Sequence, residues 1–79
     1  MKNEKTIFDY SKLRGRIKEY FKSEGEFADN LGISSVHLSN LLNNKADWDQ
    51  PLINKACMLL KILSIDIPIY FFTEKVKEL

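Results

Sequence analysis

Hydrogen-bonding side chains gather in one short stretch of this chain. Ser34, Ser35, His37, Ser39, Asn40, Asn43, Asn44 and Lys45 follow one another closely, with Val36 among them. Asn can meet adenine through two hydrogen bonds, a serine hydroxyl can serve several bases, and valine can touch a thymine methyl. Asn43, Asn44 and Lys45 carry groups suited to phosphate. This is recognition chemistry rather than bond-making chemistry. The chain has one histidine, His37, and one cysteine, Cys57. Neither has a triad partner at a supporting spacing, and together they do not make a transition-metal site. Gly15, Gly25 and Gly32 are isolated, so no glycine-rich phosphate loop is present. No catalytic residue, cofactor or metal is expected, and a single cysteine excludes an intrachain disulfide.

Such side chains need a helix that turns them outward. Leu38, Leu41 and Leu42 recur at helical spacing and predict an inward face, with Val36 a partial contributor. Ser34 is a natural cap for the start of that helix, which runs to about Leu42. A preceding helix begins around Glu24 and covers Glu26, Phe27, Ala28 and Leu31. Glu24 and Glu26 suit the positive end of its dipole. Gly32 fits a left-handed residue that ends it, Ile33 anchors the turn, and Ala28 allows a close crossing. With the leucines packed inward, Ser35, Val36, Ser39 and Asn40 are pushed to the front. Residues 24–42 thus read as a helix-turn-helix, a unit that usually lays its second helix in the major groove of DNA.

The flanks read as support for that unit. Residues 1–7 are expected to form a flexible arm. A first helix runs from about Tyr10 to Lys22, capped by Asp9 or Ser11. Tyr10, Leu13, Ile17, Tyr20 and Phe21 make its apolar stripe. Lys12, Arg14, Arg16, Lys18 and Glu19 fall off the stripe and should be solvated, while Gly15 could admit a close contact. After an Asn43–Lys45 turn, Trp48 should close the loop over the core. A fourth helix starts at Asp49 or Gln50, with Pro51 near its first turn. Its broad apolar face is Leu52, Ile53, Ala56, Cys57, Leu59, Leu60 and Leu63. Pro68 argues against a strand and for a short fifth helix. At least two of Tyr70, Phe71 and Phe72 should enter the core. The tail, 73–79, could extend that helix or form an edge strand. The expected fold is all-α, a single five-helix domain over 1–79.

Charge is distributed unevenly. Met1–Lys22 has seven basic and three acidic residues, a net +4. Ser23–Gln50 has one formal cation, Lys45, against Glu24, Glu26, Asp29, Asp47 and Asp49, a net −4. The remainder has four basic and three acidic residues, a net +1. The acids would be repelled by phosphate, yet lie within the helix-turn-helix segment. No apolar run approaches the length of a membrane span. The polar start, Met1–Thr6, leads into no signal-peptide core. The cytoplasm is the expected location.

Gly25-Glu-Phe-Ala-Asp-Asn-Leu-Gly-Ile-Ser-Ser followed by Leu38-Ser-Asn-Leu-Leu-Asn-Asn-Lys resembles the helix-turn-helix of the lambda-repressor-like (Cro and phage-repressor, XRE-type) superfamily. Phe8-Asp-Tyr-Ser-Lys-Leu-Arg-Gly-Arg-Ile, Trp48 and Ile67-Pro-Ile-Tyr-Phe-Phe-Thr resemble small Cro-like phage regulators of low-GC Gram-positive bacteria. The resemblance implies a lambda-repressor-like domain in phage or mobile-element gene control, inside a bacterial host cell. Two features depart from the pattern. Glu24 stands where the family often has glutamine, and the third helix lacks Arg and Lys. Two readings follow. In the first, the chain is a Cro-like transcription regulator that binds operator DNA as a homodimer. Its contacts are Ser34, Ser35, Val36, His37, Ser39, Asn40, Asn43, Asn44 and Lys45, with phosphate support from Lys12 or Arg16. In the second, it is an antirepressor or similar interaction module whose acidic surface binds a partner repressor.

Overall fold

Leu13 and Ile17 stand one helical turn apart and are fully buried, which sets the inner face of α1, Ser11–Tyr20. The computed structural model describes residues 6–75. Four further helices follow among them: α2, Glu24–Leu31; α3, Ser35–Leu42; α4, Gln50–Leu60; and α5, Ile67–Phe71, entered through a 3₁₀ turn at Ser64–Asp66. The described chain is all-α, without a strand; an isolated antiparallel bridge joins Phe8 and Glu74.

The core takes Phe27, Ala28 and Leu31 from α2, Leu38 and Leu42 from α3, and Ala56, Cys57 and Leu60 from α4. Phe71 of α5 closes it. Full burial of each large apolar side chain contributes roughly 1.5–3 kcal/mol. Trp48 lies edge-on to Phe71 with ring centroids 5.0 Å apart, and so covers the core as the sequence predicts. Its indole Nε1 is buried without a hydrogen-bond partner. Asp49 caps α4 by accepting from Leu52 N at 2.9 Å, with Pro51 in the first turn. Asp9 accepts from Ser11 N at 2.9 Å at the start of α1.

Several expectations are corrected. The first helix ends at Tyr20, not Lys22, because Phe21 is extended. Tyr20 leaves the apolar stripe and is 41% exposed; the Arg16 guanidinium sits 4.8 Å from its ring centre instead. Arg14 and Arg16 are half-buried rather than solvated. Arg16 donates from Nε to Leu60 O and from Nη2 to Lys61 O, each at 2.9 Å, and so closes the C-terminus of α4. Cations suit that end of a helix. Lys61 turns left-handed (φ 56°) there, which throws Leu63 out of helical register; Leu63 is 67% exposed instead of joining the α4 face. Gly15 makes no close approach: a Cβ added to it meets nothing within 4 Å.

The ends of the described chain meet. Asp9 N donates to Thr73 O at 2.7 Å, and Lys75 N donates to Ile7 O at 2.8 Å. Ile7 is therefore tied down rather than part of a loose arm, and as far as Lys75 the tail is neither a helix extension nor a strand but is held by the isolated Phe8–Glu74 bridge. Residues 1–5 of the expected arm and 76–79 of the expected tail lie outside the described residues. Of the aromatic trio, Phe71 is buried and Tyr70 packs against the core. Phe72 is exposed and meets Phe8 edge-on, ring centroids 6.0 Å apart.

Candidate interaction surface

The surface is built on two capped helices and the turn between them. Ser23 caps the start of α2, its Oγ accepting from Glu26 N at 3.1 Å, and Glu26 Oε1 reaches back to accept from Lys22 N, one residue before the cap, at 2.8 Å. Gly32 ends α2 in the left-handed region (φ 84°), where a side chain would be strained. Its N–H donates to Ala28 O at 2.9 Å, and Ile33 N joins the same carbonyl at 3.0 Å. This closes the last turn of α2. Ser34 then caps α3 through Oγ, which accepts from His37 N at 3.0 Å.

The outward face of α3 carries Ser35, Val36, His37 and Ser39, all exposed, and Asn40, half-buried. Leu38, Leu41 and Leu42 are buried beneath them. Asn40 O accepts from Lys45 N at 2.8 Å and from Ala46 N at 3.2 Å, which fixes the turn after α3. Ser34, Ser35, Val36, His37, Ser39 and Asn40 thus share one helix and its cap. Lys45 is exposed just beyond.

Asn43 and Asn44 are held differently from expectation. Asn44 is left-handed (φ 62°) and grips the backbone of Phe8: Oδ1 accepts from Phe8 N and Nδ2 donates to Phe8 O, both at 2.9 Å. Both ends of its amide are thereby engaged within the fold. Asn43 Nδ2 donates to Ser39 Oγ at 3.2 Å, and its Oδ1 accepts from Arg14 Nη2 at 3.0 Å. Arg14 Nη2 also donates to Leu42 O at 3.3 Å, while Nη1 pairs with Glu24 Oε2 at 2.9 Å. A polar chain, Ser39–Asn43–Arg14–Glu24, therefore crosses from the face of α3 to the first turn of α2.

Arg14 is the member that sequence reasoning missed. Its contacts lie 10 to 29 residues away in sequence, so no helical spacing reveals them. The available signals were Glu24 standing where the family often has glutamine and the opposite net charges of Met1–Lys22 and Ser23–Gln50. The pairing changes the electrostatics of the surface. Arg14 answers Glu24 within the fold, while Glu26, Asp29, Asp47 and Asp49 are exposed on the same segment. No Lys or Arg lies on α3. A polyanion would meet few positive groups here, whereas a basic partner would meet several carboxylates.

Elsewhere there is little chemistry. Among the described residues, no group of three His, Cys, Asp or Glu gathers to hold a metal ion. Cys57 is buried, and burial pushes its thiol up from the ordinary value. No described helix is long and apolar enough to cross a membrane.

The family model described as "Protein of unknown function (DUF739)" matches residues 6–74. No curated protein matches the chain. The fold is similar to the solution structure of the modulator of repression (MOR) of the temperate bacteriophage TP901-1 from Lactococcus lactis. The two are 40% identical with a TM-score of 0.75, over 89% of this chain and 95% of that one.

Proposed function

This chain belongs to the DUF739 family, and we propose that it is a phage regulator that modulates repression by binding a repressor protein. The observation that carries this reading is the 40% identity, nearly end to end, with a phage modulator of repression. The charge of the helix-turn-helix segment agrees with it. A repressor presents cations where it holds DNA phosphates. The carboxylates on and around α2 and the α3–α4 loop are complementary to such a surface and would speed encounter with it. The chain then acts by occupying the DNA-reading face of the repressor, in the host cytoplasm, without chemistry of its own.

The test is binding of the purified chain to the helix-turn-helix repressor encoded in the same phage or prophage, by calorimetry and by release of that repressor from its operator. The expected result is a protein complex that weakens with salt and excludes DNA. Glu24→Lys and Asp47→Lys should each abolish it. Specific binding of the chain itself to operator DNA, with no repressor complex, overturns the reading.

A second reading has its own support. The sequence resemblance to the lambda-repressor-like (XRE-type) superfamily supports it, together with a capped α2–turn–α3 unit that leaves Ser35, Val36 and Ser39 exposed; α3 would enter the major groove and a homodimer would span a near-palindromic operator. Here Ser35→Ala and Asn40→Ala should each weaken operator binding by roughly 1–3 kcal/mol, and Glu24→Lys should tighten it. The scarcity of cations on α3 makes this the weaker reading, since phosphate contacts supply much of DNA affinity.

A further inference from the structure

Val36 stands out on the acidic segment. It is 69% exposed on the first turn of α3. The other strongly exposed large apolar side chains among the described residues are Ile7, Tyr20, Met58, Leu63, Ile65, Ile69 and Phe72, and all lie outside Ser23–Gln50. Its neighbours are polar, and several already have partners: Ser34 Oγ accepts from His37 N, and Ser39 Oγ accepts from Asn43 Nδ2. Covering these two hydroxyls leaves each oxygen with a partner inside the fold. Val36 is also β-branched and on a helix, so its χ1 is nearly fixed before binding and little side-chain entropy is lost on contact. Glu26, Asp29 and Asp47 are exposed on the same segment. Protein interfaces commonly combine apolar contacts with a polar rim, and this segment exposes both kinds of group.

We propose that Val36 is the apolar anchor of the docking surface and seats on the DNA-reading face of the partner repressor; this rests on the function proposed above. Charge complementarity selects that occupant. A DNA-reading face combines cations for phosphates with small apolar spots for thymine methyls. The carboxylates answer the first, and the isopropyl group of Val36 answers the second. The two parts of the surface then do different work. Carboxylates steer encounter and set the salt dependence, and Val36 sets how long the complex lasts.

The experiment is surface-immobilised repressor from the same phage genome, with wild-type chain, Val36→Ala, Asp29→Asn and Met58→Ala in solution, across a salt series. Loss of two buried methyl groups should raise the dissociation rate of Val36→Ala about tenfold with an unchanged salt slope. Asp29→Asn should slow association and flatten the salt slope. Met58→Ala, truncating a side chain 71% exposed on α4, should leave both rates within about twofold. Each of these side chains is exposed, so the variants should fold, and circular dichroism checks this. Wild-type binding with an unchanged dissociation rate for Val36→Ala overturns the anchor and leaves the functional reading standing. Failure of the wild type to bind the repressor overturns both. Binding of the wild type to duplex DNA, weakened by Val36→Ala, overturns the proposal in favour of a thymine contact.

Discussion

Asn44 offers a sharp test of how the surface is held in place. It joins the end of α3 to the segment before α1 through two hydrogen bonds with Phe8, both 2.9 Å and part-buried. It does so from a left-handed backbone with φ 62°. Asn44→Ala removes both bonds and leaves a donor and an acceptor of Phe8 to find water. Two such bonds contribute about 1–3 kcal/mol together. Alanine also tolerates the left-handed region less well than asparagine, which adds about 1 kcal/mol. The expected loss is about 2–4 kcal/mol. A domain of this size holds roughly 4–12 kcal/mol in all, so the melting temperature should fall by more than about 8 °C. Asn44→Gly separates the two causes: it loses the hydrogen bonds but not the conformational preference, and should cost about 1 kcal/mol less than alanine. Urea unfolding followed by helical circular dichroism and by Trp48 fluorescence gives both values. Equal losses for alanine and glycine, or a loss under about 1 kcal/mol for alanine, would refute the clasp as a stabilising device. A normal fold with weakened partner binding would return Asn44 to the contact role that its position in the sequence suggests.

Other outcomes follow from single contacts. Gly15→Ala should stabilise the protein by about 1 kcal/mol, because the position is helical and a Cβ there meets nothing within 4 Å; thermal melting checks it. Gly32→Ala should cost about 1 kcal/mol or more by urea titration, since φ is 84°. Burial, and next the charge of Asp47, push the Tyr10 phenol up from its ordinary value. The folded state then holds its proton longer than the unfolded chain. Stability from this source is full below about pH 10 and is lost as pH rises through the folded value. The urea midpoint should fall in that range, and Tyr10→Phe should lessen the fall. The Cys57 thiol, raised by burial, should react with a thiol reagent only as fast as the protein opens.

The helices were legible because their signals are local. Ser34 before an apolar period of three and four, Gly32 after Leu31, and Pro51 after Asp49 each mark an end through one residue and its neighbours. Leu13, Ile17, Phe27 and Leu38 revealed the core in the same way. What was not legible depends on contacts between distant parts of the chain. Tyr20 satisfies the helical period of α1 yet lies in the open, since Arg16 reaches across to Leu60 and Lys61 and shares its surface with the ring. Leu63 fits the period of α4, but the helix had already ended at Leu60. Asn44 looked like a polar turn residue, and its partner is Phe8, which is 36 residues away in sequence.

The polar chain from Ser39 to Glu24 bears on function more than any of these. By sequence, Arg14 was a solvated cation of the first helix, and Glu24 was a helix-start acid. Together they neutralise each other at 2.9 Å, with both side chains about a third exposed. In that setting the pair itself adds little stability, about 1 kcal/mol or less. Its larger effect is on what the surface offers. A cation held by Glu24 must break that pair before it can meet a phosphate, whereas Asp29 and Lys45 are exposed at the surface. Glu24→Gln should therefore leave the fold nearly as stable and leave the Arg14 charge unanswered, with Nη2 still held by Leu42 O and Asn43 Oδ1. At low salt, affinity for a random duplex should then rise, by about one unit in the slope of log affinity against log salt. Repressor binding should weaken at the same time, because one carboxylate is gone. If Glu24→Gln changes neither, the Arg14–Glu24 pair has no part in partner choice, and the distinction between a DNA-facing and a protein-facing surface must lie in α3 alone.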